Sequence, residues 1–140
     1  GFAYYTTMPT DALNLFRDAA LETKELGFKK ATDMAWDLGN GCRDMMKSKG
    51  LRTVSAPGYE APGVSVWYTS EPDMFNKFKS HGFQIAAGVP FMINEPPGNF
   101  TFRIGLFGLD KLQRKETTIK TLEATLDRIL AGEKPMAAAA

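Results

Sequence analysis

The stretch Thr101-Phe102-Arg103-Ile104-Gly105-Leu106-Phe107-Gly108 sets the strongest constraint on what this chain can fold into. In extended backbone, successive side chains point to opposite faces. Phe102, Ile104 and Leu106 therefore share one face, and Thr101, Arg103, Gly105 and Phe107 share the other. Phenylalanine, isoleucine and threonine favour a pleated, half-buried surface. One face is wholly apolar and the other carries a guanidinium, which asks for a sheet covered on one side. Gly63-Val64-Ser65-Val66-Trp67-Tyr68-Thr69 repeats the alternation, with Val64, Val66 and Tyr68 on one side.

Ahead of these strands lie two helical periodicities. Residues 1–10 read as an extended lead-in ending at Pro9, and Thr10 reads as the N-cap of a helix from Asp11 to Leu26. Ala12, Leu13, Phe16, Ala19 and Ala20 fall on its apolar face. Gly27 interrupts the pattern. A second helix spans Phe28 to Lys49, with Phe28, Ala31, Ala35, Leu38, Cys42 and Met45 as its buried stripe. Leu51 to Val54 and Phe83 to Ala86 read as short strands. Ser70-Glu71-Pro72-Asp73 opens a helix bearing Met74, Phe75 and Phe78, with Ser70 as its cap. A long loop with Gly88, Pro90, Pro96, Pro97 and Gly98 leads into the arginine strand, and loops of this length in a compact domain are often functional. A final helix runs to Ala131 on a stripe of Ile119, Leu122, Leu126, Ile129 and Leu130, and residues 132–140 read as a frayed tail. The expected class is α+β, a small and largely antiparallel sheet with helices on one face.

Composition excludes several functions. The 17 basic and 16 acidic residues nearly cancel, leaving no overall electrostatic footprint for nucleic acid or an anionic membrane. No apolar run reaches the roughly 20 residues that cross a bilayer. The single cysteine, Cys42, rules out an internal disulfide framework and suits a reducing, cytoplasmic setting as the default. Cys42 lies on a helix stripe, where a free thiol behaves as a small hydrophobe. His81, the one histidine, stands near a helix C-terminus, where capping is its natural role. One histidine and one cysteine far apart do not make a metal site. Glycine-rich phosphate loops are absent. The seven methionines read as core filling and the lysine pairs as solvated helix faces.

Two groups of residues carry chemistry. Arg103, on a rigid strand beside a glycine, is placed to hold a carboxylate or phosphate through its bidentate fork. The other reading makes it an edge-strand arginine with its stem on Phe107. Tyr5, Thr6 and Thr7 offer hydroxyls to an anion, or serve ordinary turn chemistry.

In their order, Tyr5-Thr6-Thr7-Met8-Pro9-Thr10, the two long helices, the Gly63 to Thr69 strand, His81-Gly82-Phe83-Gln84-Ile85-Ala86-Ala87-Gly88 and Phe102 to Gly108 resemble the C-terminal part of class V aminotransferases. These are fold-type I pyridoxal-phosphate enzymes, and the likeness is to the alanine–glyoxylate and serine–pyruvate types. The resemblance implies that Arg103 binds the α-carboxylate of a small amino acid or 2-oxo acid. It implies that Tyr5 reaches the cofactor phosphate, usually in the partner subunit of a homodimer. Thr7 or Met8 takes the neighbouring phosphate position, where only Thr7 offers a hydroxyl. The Schiff-base lysine and the acid that pairs with the pyridine nitrogen belong, in this family, to an upstream large domain. The resemblance therefore implies a small domain, residues 11–131, that does not transaminate alone. A related lyase, epimerase or desulfurase domain, and a free-standing anion-binding module, stay open as alternatives.

Overall fold

The computed structural model describes residues 6–90 and 92–133. Helices α1 (Thr10–Leu26) and α2 (Phe28–Ser48) are separated by Gly27 alone. Its φ of 97° is one that a side chain resists, so glycine permits the break. The Gly27 N–H still closes α1 on the carbonyls of Thr23 and Lys24. Then follow β1 (Val64–Thr69), α3 (Met74–Ser80), β2 (Ala86–Ala87), β3 (Phe100–Gly105), α4 (Leu109–Leu112) and α5 (Lys115–Leu130). The three strands form an open antiparallel sheet in the order β1-β3-β2. This is the α+β class that the alternation predicts.

The register sorts the sheet into two unlike faces. Trp67 stands opposite Phe102, and Ser65 opposite Ile104, on the covered face. Trp67 is fully buried, and its indole N–H donates to Ser65 Oγ at 2.9 Å, so the burial leaves no orphan donor. Phe78 of α3 packs on Phe102 with ring centroids 5.8 Å apart. Leu38, Cys42 and Met46 from α2 and Leu122, Leu126 and Ile129 from α5 complete the same cluster. Val64, Val66, Tyr68, Thr101, Arg103 and Gly105 lie on the other face, and none is fully buried.

Several local expectations are corrected. Leu51 to Val54 forms only a bridge, Thr53 to Trp67, supported by Tyr68 N–H to the Arg52 carbonyl and Val54 N–H to that of Val66. Phe83 to Ala86 contracts to the two residues of β2. The turn before α3 is built on Thr69, whose Oγ1 accepts the Glu71 N–H at 3.0 Å, and the helix begins only at Met74 with no Ser70 cap. The last helix divides into α4 and α5, and Leu130 points outward while Thr125 is buried. β3 is the central strand, so Arg103 is not an edge-strand residue.

The largest correction concerns α1, which has no buried residue. Leu13 is 49% exposed and Phe16 71%. The uncovered stretch continues into α2, where Phe28 and Trp36 are exposed and burial begins only at Leu38. Periodicity shows that a face wants cover; it does not say what supplies it.

Arg43 was no part of the expected stripe, yet it is 3% exposed within α2. Its Nη1 donates to the Ala61 carbonyl at 2.9 Å and its Nη2 to Asn40 at 3.2 Å, so it ties the loop before β1 to the helix. Beside it, burial pushes the Cys42 thiol up to about 11, against a smaller opposing pull from the Arg43 charge. An unfolded thiol titrates near about 8.5. The neutral buried thiol therefore contributes stability that is complete below that pH and is lost as pH rises toward 11. Urea denaturation at pH 7.5 and pH 10 should show the parent chain losing about 2 kcal/mol more than Cys42→Ala. Parallel losses in the two proteins would contradict this origin.

Candidate functional site

Arg103 stands in the middle of the open sheet face, directly opposite Val66 on one side and Ala86 on the other. Gly105 is next on its own strand and face, and contributes no side chain. Phe107 follows, with its ring laid against Gly63 and Gly105: a Cβ at Gly63 would come within 2.6 Å of that ring. The guanidinium thus rises from apolar and small neighbours. Its Nε donates to the Ala87 carbonyl at 3.0 Å, and among the described residues this is its one hydrogen bond. No described carboxylate pairs with it. A second arginine lies on the same face, where Arg52 stacks 4.0 Å above the Tyr68 ring.

The loop from Gly88 to Asn99 borders this region. Gly88 N–H donates to the Thr101 carbonyl at 2.8 Å, fastening the loop's start to β3. Met92 and Asn94 adopt positive φ values of 59° and 51°, and the Met92 N–H is held by the Glu95 carboxylate at 3.1 Å. A pocket of about 290 Å³ lies between loop and strand, lined by Ala87, Gly88, Glu95, Phe100 and Thr101 among others. A larger cleft of about 520 Å³ lies elsewhere, under the uncovered helix α1, lined by Ala19, Ala31, Leu109 and Leu112. It brings no cation or nucleophile together with Arg103.

The other expected site residues fare differently. Tyr5 falls outside the described residues. Thr7 lies exposed ahead of α1, with the Thr6 hydroxyl donating to its carbonyl at 3.4 Å. Thr7 is not the hydrogen-bond partner of Arg103, so the structure does not join the two groups. Cys42 is buried, and with its titration raised it is a poor nucleophile near neutral pH. His81 caps α3: its Nδ1 lies 2.8 Å from the Lys77 carbonyl and must carry the proton there. Its Nε2 is buried without a described partner.

Every described lysine is exposed or half-buried. Lys49 is held above the usual lysine range by hydrogen bonds to Asp127 and Glu123, and Lys115 likewise by Asp37. A lysine that captures an aldehyde must be deprotonated, and these partners act in the opposite direction. Among the described residues no cluster of histidine, cysteine and acidic groups is able to hold a metal ion. No described helix is long and apolar enough to cross a membrane.

Sequence alone does not show that Arg103 engages the Ala87 carbonyl, flanked by Ala86 and Gly88. Their run of minimal side chains was the available signal, and it acquires meaning only from the register that sets them beside the arginine.

No protein-family model matches the chain, and no curated protein matches it by sequence. Solved structures do match by shape. An alanine–glyoxylate aminotransferase from Nostoc sp. superposes with a TM-score of 0.67 over 89% of this chain at 15% identity. A ureidoglycine–glyoxylate aminotransferase from Bacillus subtilis does so with a TM-score of 0.60 over 84% at 21% identity. The chain spans about a third of each, 33% and 31% respectively. At these identities the shared property is the fold, and it is the fold that the sequence resemblance implies.

Exposure and pairing distinguish the two arginines chemically. Phenylglyoxal, which attacks the Nη atoms, should modify Arg103 at least about tenfold faster than the buried Arg43, which reacts only through local opening. Peptide mapping by mass spectrometry checks the order, and equal rates would contradict the described environments.

Proposed function

We propose that this chain is the C-terminal small domain of a class V, pyridoxal-phosphate-dependent aminotransferase. Its parent enzyme moves an amino group between a small amino acid and a 2-oxo acid of the pyruvate or glyoxylate type. The observation that carries the reading is Arg103: a guanidinium without an acid partner among the described residues, on the central strand of a fold shared with two glyoxylate aminotransferases. An unpaired fork among apolar neighbours favours a planar carboxylate, which matches it in charge and geometry.

The work of this domain is binding and orientation. Arg103 takes the substrate α-carboxylate and fixes which end of the molecule faces the reacting centre. Val66, Ala86 and Phe107 give that contact an apolar border, where a charge-assisted hydrogen bond is stronger than in open water. Pyridoxal phosphate supplies the electron sink for transamination when bound. The described lysines do not suit its covalent attachment, since they are solvated or held in the charged form by acids. That lysine belongs to the remainder of the enzyme in this reading. Thr7, and Tyr5 before it, would donate to the cofactor phosphate, in the partner subunit of a homodimer. The bare face of α1 supports the same reading, because Leu13, Phe16 and Phe28 need an apolar surface that the described residues do not provide.

Two measurements test this. Pyridoxal phosphate with borohydride should leave no stoichiometric lysine adduct on the 140-residue chain, and should label one lysine in the protein expressed from its full open reading frame. In that longer protein, Arg103→Ala should lower kcat/KM for glyoxylate or pyruvate by roughly a hundredfold, about 3 kcal/mol. Turnover by the 140-residue chain, or near-normal kinetics without Arg103, would reject the proposal.

A further inference from the structure

We infer that Ala86, Ala87 and Gly88 are positioning residues that hold the Arg103 guanidinium so that a carboxylate is received end on, across Nη1 and Nη2. The inference rests on the reading of Arg103 as the carboxylate-binding residue and specifies how that residue is kept ready.

Directly opposed residues in an antiparallel pair alternate between hydrogen-bonded and non-hydrogen-bonded positions. Gly88 N–H donates to the Thr101 carbonyl at 2.8 Å, so Gly88 and Thr101 occupy a hydrogen-bonded position. Ala87, opposite Phe102, then occupies the non-bonded one, and its carbonyl faces away from β3. On β2, an edge strand, an outward carbonyl has no ladder partner. Arg103 Nε supplies one at 3.0 Å.

Reaching that carbonyl requires the arginine stem to cross β2. It does so beside Ala86, its direct cross-strand neighbour, where only a methyl group stands. Gly88 sets how closely the edge lies against β3. A Cβ built there would collide with Thr101 Oγ1 and stand 2.5 Å from the Thr101 carbonyl oxygen. The three small residues thus contribute differently. Ala86 leaves passage for the stem, Ala87 supplies the acceptor for Nε, and Gly88 allows the close approach of the strand.

A guanidinium presents two bidentate edges, Nη1 with Nη2 and Nε with Nη2. With Nε committed to Ala87, the side-on edge is taken. The end-on edge has no described protein partner. Holding the fork in place beforehand also reduces the rotamer freedom lost when a ligand arrives.

The test starts with nitrogen NMR of the 140-residue chain, the Arg103 Nε–H signal being identified by its loss in Arg103→Lys. That proton should exchange more slowly than those of exposed arginines, and should show scalar coupling to the Ala87 carbonyl carbon. Ala86→Leu should abolish both while the backbone spectrum stays that of a folded chain. Gly88→Ala is a second variant with the same expected result. In the full-length protein, with glyoxylate as the probe, Ala86→Leu should raise KM about tenfold and change kcat less than about twofold, the pattern of lost ground-state binding. Absence of the coupling in the parent chain, or an unchanged KM in Ala86→Leu, would overturn the inference. Unchanged kinetics in Arg103→Ala would instead overturn the reading beneath it, whatever the coupling shows.

Discussion

The structure depends on the pairing of β3 with its two neighbours. That register sends Phe102, Ile104 and Leu106 into the cluster built by α2, α3 and α5. It sends Arg103 to the opposite side in the same step. Shifting β3 by one residue would put a guanidinium among Trp67, Phe78 and Leu126 and expose three large apolar side chains. Burying an unpaired charge there costs several kcal/mol, and losing three core residues costs more. The energy that fixes the hydrophobic side thus also fixes where the cation stands. Binding geometry here is a by-product of core packing.

Buried polar groups are few among the described residues, and of their side-chain atoms all but His81 Nε2 have a hydrogen-bond partner. Trp67 finds Ser65 on its own strand, and Arg43 finds the Ala61 carbonyl and Asn40. Arg43 and Arg103 make an instructive pair. The first is buried and divides its donors between the loop before β1 and Asn40 of its own helix. The second is exposed and spends only one on the protein. Identical side chains serve as a structural clamp and as a candidate ligand site, and the number of uncommitted donors separates the two roles.

Alternation made the two long strands legible from the sequence: Phe102, Ile104 and Leu106 keep the two-residue period on the covered face, and Val64, Val66 and Tyr68 keep it on the open one. Helix periodicity located α1, α2 and α5 for the same reason. What it could not supply was the partner of each apolar face, and so α1 was expected to be covered when it is bare. The short pieces failed differently. Ala86–Ala87 is too brief for any period to show, and its pairing is created by β3. The central place of β3 was hidden likewise, since strand order is a property of tertiary contacts. Arg103 was visible as a residue type in a suggestive pattern. The Ala87 carbonyl that engages it was not, because main-chain acceptors leave no mark in a sequence.

The bare face of α1 has a consequence for the life of the protein in a cell. Leucines and a phenylalanine exposed along α1, on a stretch where burial begins only at Leu38 of α2, are the kind of surface that chaperones and proteases survey. Without cover there, the chain is folded in its sheet and unfinished along its first helix. Its abundance would then follow the supply of whatever covers α1 as much as its own folding stability. Assembly, in such a molecule, is also a form of quality control.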